Sequence, residues 1–296
     1  IGNHTVTTTA VNGASAPDGT GIGVSAAIAI VNNATSATLG TASSPLVITG
    51  SLSATATHTD VITTSSNGKA AGTNAVGIAI ALNVANDSAT ATTSQSIQAG
   101  GSVSFMASSD ATSSATASAT AAGGKQADDK SGKNVDGQVG DQMTYGNTQA
   151  TNSGSKGAPA GTKAPAAQDS SGTSVSLAGG IGVNIASNTS SATIGSSLSV
   201  TASAGPLTLS SANTTGATAS ADGSATGTAT VGVGVAVGLN LVNATNTAQI
   251  GAGDTVHAKG VTLSALMAGT GTPTDTFSAT ASSGASAGNV AVAGAL

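Results

Sequence analysis

One segment of this chain recurs, and the recurrence constrains the fold more than any other feature. It reads GIGVSAAIAIVNNATSATLG at 21–40, VGIAIALNVANDSATATTS at 76–94, GGIGVNIASNTSSATIG at 179–195 and GVGVAVGLNLVNATNTAQIG at 232–251. A fifth copy starts as GNVAVAGAL at 288–296. The first four end at Gly40, Ser94, Gly195 and Gly251, at spacings of 54, 101 and 56 residues. The middle spacing is one repeat of about 55 residues plus an insertion of about 46. A repeat this short cannot cover its own apolar face, so neighbouring copies must stack and cover it.

A second marker keeps nearly the same period. Asn12-Gly13, Asn67-Gly68 and Asp222-Gly223 are turn dipeptides, separated by 55 and 155 residues. Three arrangements accommodate them. They are tips of antiparallel hairpins, corners where the chain passes between two sheets, or ends of hairpin arms that then stack in parallel. The insertion, 124–170, starts where the Asn-Gly turn falls in the other copies. It holds five of the seven lysines, five of the twelve aspartates and the single tyrosine. A change of composition at a turn tip reads as a surface excursion. Lys125, Asp128, Asp129 and Tyr145 are its candidate contact residues. The organisation expected is repeats over 1–123, the charged loop over 124–170, and repeats again over 171–296. The pattern is under way at Ile1 and unfinished at Leu296, so the chain is expected to be continuous with further repeats.

Within each copy the pattern has period two. Ile22, Val24, Ala26, Ile28 and Ile30 alternate with Gly23, Ser25, Ala27 and Ala29. Val231, Val233, Val235, Val237 and Leu239 alternate with Gly232, Gly234, Ala236 and Gly238. This is a strand with one large apolar face and one face of small residues; it can be covered on both sides, with backbone expected to approach closely on the Gly/Ala side. There is no Glu and no Arg, and charged residues make up only 6% of the chain. Strong helix formers are therefore scarce, while Val, Ile and Thr suit a pleated strand. The fold class expected is all-β: an elongated β-solenoid, parallel and β-helix-like, built from repeats of about 55 residues, with β-hairpin arms as the alternative. Stacking in register places like above like. Asn83, Asn184 and Asn240 share one repeat position, which Ala29 takes in the first copy, so they are expected to form a structural Asn ladder.

Little here carries chemistry. His4 and His58 fall near one repeat position, but with no Cys and no recognised carboxylate partner they make a poor metal site. With His257 they read as exposed strand residues, so neither a metal nor a cofactor is expected. Gly-x-Gly-Val at 21–24 and Gly-Val-Gly-Val at 232–235 lack the helix that a dinucleotide loop needs. The aspartates do not keep the repeat register that a Ca²⁺-binding solenoid needs. Asn33, Asn86, Asn188 and Asn243 each begin an Asn-x-Ser/Thr triplet, but ladder and turn chemistry accounts for them as well as glycan acceptance does. No basic patch with interleaved aromatics exists for nucleic acid, and no run is long enough for a membrane-spanning helix.

The segments 21–40 and 232–251 share a pattern: Gly-x-Gly-Val, alternating small and aliphatic residues, Asn with an aliphatic neighbour, then Ala-x-Leu/Ile-Gly. This resembles the repeats of large bacterial filamentous surface proteins, the leukotoxin-like and haemagglutinin-type β-helix adhesins. The resemblance implies a secreted, cell-surface location and a rod that displays or bridges. The expected function is a structural or adhesive fibre segment rather than an enzyme. Its expected partners are other copies of itself, end to end or side by side, and cell surfaces or carbohydrate. Thr-rich runs such as Thr7-Thr8-Thr9 and Thr55-Ala56-Thr57-His58-Thr59 raise ice binding as the alternative. That reading requires outward Thr in regular ranks on one flat face. A carbohydrate-active β-helix enzyme would need clustered carboxylates in a groove, and the acids here are too sparse.

Overall fold

The computed structural model describes residues 1–124, 174–267 and 275–296. The contact residues expected in the insertion, Lys125, Asp128, Asp129 and Tyr145, lie outside them. The chain leaves the described structure at Gly124 and rejoins it at Ser174.

Strands make up nearly all of the described chain, and none of it is helical. In order they are β1 (Gly2–Leu39), β2 (Leu46–Ile48), β3 (Leu52–Thr93), β4 (Ile97–Ala99), β5 (Val103–Gly123), β6 (Val175–Ile194) and β7 (Ser199–Ala202). Then come β8 (Leu207–Gly227), β9 (Val231–Gln249), β10 (Thr255–Ala258), β11 (Val261–Met267), β12 (Thr276–Ala285) and β13 (Val290–Ala295). Every strand pairing among the described residues is parallel. The antiparallel hairpin is therefore excluded there. The short strands form a separate sheet in the order β10-β7-β4-β2.

The long strands form one curled parallel sheet. The first half of β3 pairs with β5 and its second half with β6, so β3 runs out, bends near Thr73 and returns. β1 does the same, with its register shifting between Ala16 and Thr20. Outgoing and returning halves then pack face to face. Thr64 Oγ1 on an outgoing half donates to Asn83 Oδ1 on a returning one at 3.4 Å. Ser176 Oγ on β6 donates to the Ala121 carbonyl on β5 at 2.7 Å. Successive strands occupy successive levels of the stack.

The space between the halves tapers. Beside the short strands it is filled by Phe105, Ile97, Val103, Ile194, Val200, Leu207 and Leu209, all fully or almost fully buried. Towards the bend it narrows to alanine, with Ala79, Ala81, Ala115, Ala119 and Ala121 completely buried. At its narrowest even a methyl group is excluded at some positions. A Cβ at Gly68 would fall within 3.0 Å of the Ile78 carbonyl oxygen, and one at Gly223 within 3.0 Å of that of Val235.

This corrects the reading of the Asn-Gly and Asp-Gly pairs as turns. Asn12, Gly13, Asn67, Gly68, Asp222 and Gly223 all lie within strands. Gly68 and Gly223 have no positive φ; they are required by the close approach of the opposite backbone. The bend comes five residues later. Gly72, Gly123 and Gly227 share one register position there. Gly124 (φ 85°) and Gly227 (φ 103°) adopt the left-handed conformation that favours glycine.

The close backbone approach expected on the Gly/Ala side is observed. The small residues face inward and the large aliphatics outward. Ala79 and Ala81 are fully buried, while Ile28 is 57% and Ile30 68% exposed. Cover on both sides, which the pattern allows, is not realised on the large face among the described residues. Two sheets this close leave no volume for branched side chains between them, so the branched residues must point away.

Candidate functional site: a polar seam and two outer faces

Between the aliphatic end and the alanine end runs a seam of buried polar side chains. It arises because inward positions 58, 60 and 64 of β3 meet inward positions 83 and 87 of the same strand after its bend. Levels above and below add Asn184 and Asn188 from β6, Ser109 and Ser113 from β5, and Asn213 and Thr215 from β8.

One part of the seam joins Asn83, Asn184 and Asn240, which are register partners. Asn83 Nδ2 donates to Asn184 Oδ1 at 2.8 Å. Asn184 Nδ2 donates to Asn240 Oδ1 and to Ser113 Oγ, both at 3.0 Å. Asn240 Nδ2 closes the run on the Ala217 carbonyl at 2.8 Å. A fully connected amide run satisfies buried dipoles that would otherwise be orphaned. Asn184→Leu leaves Asn83 Nδ2 and Asn240 Oδ1 without these partners. At about 1–3 kcal/mol for each orphaned group, the expected loss is about 2–6 kcal/mol, measured by urea unfolding. Asn86→Ala removes an exposed amide that donates to Asn32 at 3.2 Å, and should shift stability by less than about 0.5 kcal/mol.

A second part holds the interior's charge-bearing groups. His58 is 1% exposed, which corrects the expectation of an exposed strand residue; His4 and His257 are exposed. Alternation turns His58 inward, and the returning halves supply partners. His58 Nδ1 lies 3.1 Å from Thr35 Oγ1, and Nε2 lies 3.4 Å from Asp87 Oδ1. Asp60 is buried beside them and accepts a hydrogen bond from Asn33 Nδ2. The other Asp60 oxygen, Oδ1, is buried without a hydrogen-bond partner. The His4 and His58 ring centroids are 5.4 Å apart.

Burial disfavours charge on His58 and on Asp87. It pushes the His58 imidazole below its ordinary value, with Asp60 opposing and His4 assisting. It pushes the Asp87 carboxyl up to about 8, helped by the neighbouring Asp60 carboxylate. A carboxyl whose pKa is raised on folding stabilises the fold at acid pH and loses that contribution as pH rises. The window runs from its ordinary 3.8 to about 8. Asp87→Asn stays neutral throughout. Its melting temperature relative to the parent, in EDTA-containing buffer, should therefore climb steadily across that window. A constant offset would mean that Asp87 is not held protonated.

The triplet asparagines separate by face. Asn188 is 1% exposed and donates to Asn213 Oδ1, the Thr214 carbonyl and Thr215 Oγ1, which removes it as a glycan acceptor. Asn33 is engaged with Asp60, whereas Asn86 and Asn243 lie on the outer face. The period alone could not distinguish these positions, because they differ by one residue and one residue reverses the face.

The two outer faces differ in chemistry. That of the returning halves carries aliphatic columns: Ile22-Val76-Leu177-Val233-Val292, Ile28-Leu82-Val183-Leu239 and Ile30-Val84-Ile185-Leu241, with two mixed columns between them. That of the outgoing halves carries hydroxyl columns: Thr7-Thr63-Ser114-Thr218-Ser278 and Thr9-Ser65-Thr116-Ser220-Thr280. Val61, Met106, Asp110 and Gly216 interrupt the hydroxyl face.

The chain matches no protein-family model, no curated protein and no solved structure. Among the described residues no helix is long and apolar enough to cross a membrane.

Proposed function

We propose that this chain is a β-solenoid segment of an extracellular fibre, and that its work is association: copies pair laterally through the outer aliphatic face and the fibre engages cell surfaces or carbohydrate. The observation that carries this reading is the exposed aliphatic face. Five columns spanning eight residue steps over four to five levels cover roughly 27 Å by 20 Å, on the order of 500–600 Å². That is at the upper end for the largest apolar patch on a soluble monomer, and patches of that rank are often binding surfaces. A standard protein interface buries about 800 Å² per partner, so a second copy laid face to face, with the adjoining Asn and Thr columns as a polar rim, is of the right size. The recurrence of the pattern and the parallel register fit a rod, and the sequence resemblance fits a bacterial surface location.

The test is the association state of the full chain. Light scattering at about 100 µM should show dimers or larger species. The triple variant Ile28→Ser/Ile30→Ser/Leu239→Ser should be monomeric with its melting temperature almost unchanged, because these side chains are largely exposed in the folded chain. A parent chain that remains monomeric at that concentration would overturn lateral pairing.

Ice binding is the second reading, favoured by the hydroxyl columns. Their spacing, about 4.8 Å between levels and about 6.7 Å along each strand, forms a two-dimensional lattice of Ser and Thr on one sheet face. Thermal hysteresis separates the readings. Freezing-point depression by the parent that is lost in Thr63→Lys/Thr116→Lys would place the function on the hydroxyl face.

A further inference from the structure

We infer that His4, His58 and Asp60 form a binding site for one divalent transition ion of the zinc class, tying the first two levels of the stack together. Three side chains from two strands converge. His4 on β1 is the register partner of Asp60 on β3, and Gly2 is the register partner of His58. One donor atom from each of His4, His58 and Asp60 lies within 4.8 Å of the others. A tetrahedral ion about 2.1 Å from each donor holds its donors about 3.4 Å apart, so side-chain rotation of little more than an ångström closes the set.

Two further observations point to a cation, and a third explains how the rings come so close. Asp60 Oδ1 is buried and has no hydrogen-bond partner, an arrangement that costs free energy unless a ligand or ion takes it up. The position facing His58 is glycine. A Cβ at Gly2 would fall within 3.0 Å of Thr35 Oγ1 and sit 3.2 Å from His4 Cε1 and 3.5 Å from His58 Nδ1, so only glycine lets Thr35 and the two rings come together here. The donors are also held from behind. Asn33 Nδ2 donates to Asp60 Oδ2, and the two His58 nitrogens reach Thr35 Oγ1 and Asp87 Oδ1; the nitrogen that takes the ion exchanges its bond for the metal, and the other keeps the supporting bond that fixes the ring. His4 is exposed, which gives an ion a way in and leaves a coordination position for water. Two imidazoles and a carboxylate select Zn²⁺, Co²⁺ or Ni²⁺ over the oxygen-seeking Ca²⁺ and Mg²⁺.

Co²⁺ is the probe, added to the EDTA-stripped and dialysed full chain without an affinity tag. One equivalent should bind per chain with the visible bands of a low-symmetry site. Zn²⁺ should displace it and raise the melting temperature, as any ligand confined to the folded state does. His4→Ala, an exposed change that leaves the fold intact, should weaken Co²⁺ binding more than tenfold and remove the thermal shift. Asn33→Ala, which only releases the orientation of Asp60, should weaken it about tenfold. His257→Ala, remote from the cluster, should bind as the parent does. Absence of saturable Co²⁺ binding at 100 µM, or binding retained in His4→Ala and lost in His257→Ala, overturns the site.

Discussion

Gly180→Val should abolish folding or cost about 3 kcal/mol or more, whereas Gly179→Val, one residue earlier, should be neutral or slightly stabilising. The two glycines are neighbours on β6 and lie on opposite faces. A Cβ at Gly180 would fall within 3.0 Å of the Asp222 carbonyl oxygen and of its carbonyl carbon, which belong to backbone and cannot swing aside. A Cβ at Gly179 meets nothing within 4 Å. Gly179 also stands in the outer column between Ile78 and Val235, where a valine extends an existing aliphatic row. Urea unfolding of the pair measures how close the two halves of the sheet are. Equal effects at 179 and 180 would contradict the face assignment of every residue in β6.

Phe105→Ala should destabilise by about 3–5 kcal/mol, the usual cost of emptying a large aromatic site in a packed core. Phe105 is the largest fully buried side chain. It stands in register between Ala54 and Leu209, so its ring fills volume that the small residue one level away leaves open. The short-strand sheet holds the two halves apart at this end, and the surrounding backbone cannot collapse onto the void. Met106→Ala, at the next position and pointing outward, should change stability by less than about 0.5 kcal/mol. Denaturant midpoints of the two variants compare the aliphatic end directly with the surface beside it.

Much of this was legible in the sequence. The repeat fixed which residues stack, and Asn83, Asn184 and Asn240 could be placed together because each copy after the first offers the same amide at the same position. The period of two was also plain. The small residues marked the side that backbone approaches closely, but that the large face would be left uncovered was not legible, because alternation alone does not say how many sheets pack. The glycines at 68 and 223 were misread for a related reason: a glycine demanded by backbone contact looks the same in sequence as one demanded by φ. The His58 cluster was harder still. Its partners Thr35 and Asp87 lie 23 and 29 residues away on returning halves, and no other copy repeats the set. A usable signal did exist. His58 and Asp60 alternate onto the same face as Ile62, and Asp87 takes the register position held by Asn33 and Asn188 in the adjacent copies.

The inverted packing divides hereditary labour between the two sides of each strand. Instructions for folding are written in residues with at most a few side-chain atoms over much of the strand, where almost any exchange is punished. The opposite side carries bulky residues that contribute little to holding the two halves together. Selection can redraw that outer side, level by level, from greasy to hydroxylated to charged, without first solving the folding problem again. A lineage with this architecture can therefore change the chemistry of its surface much faster than it changes shape.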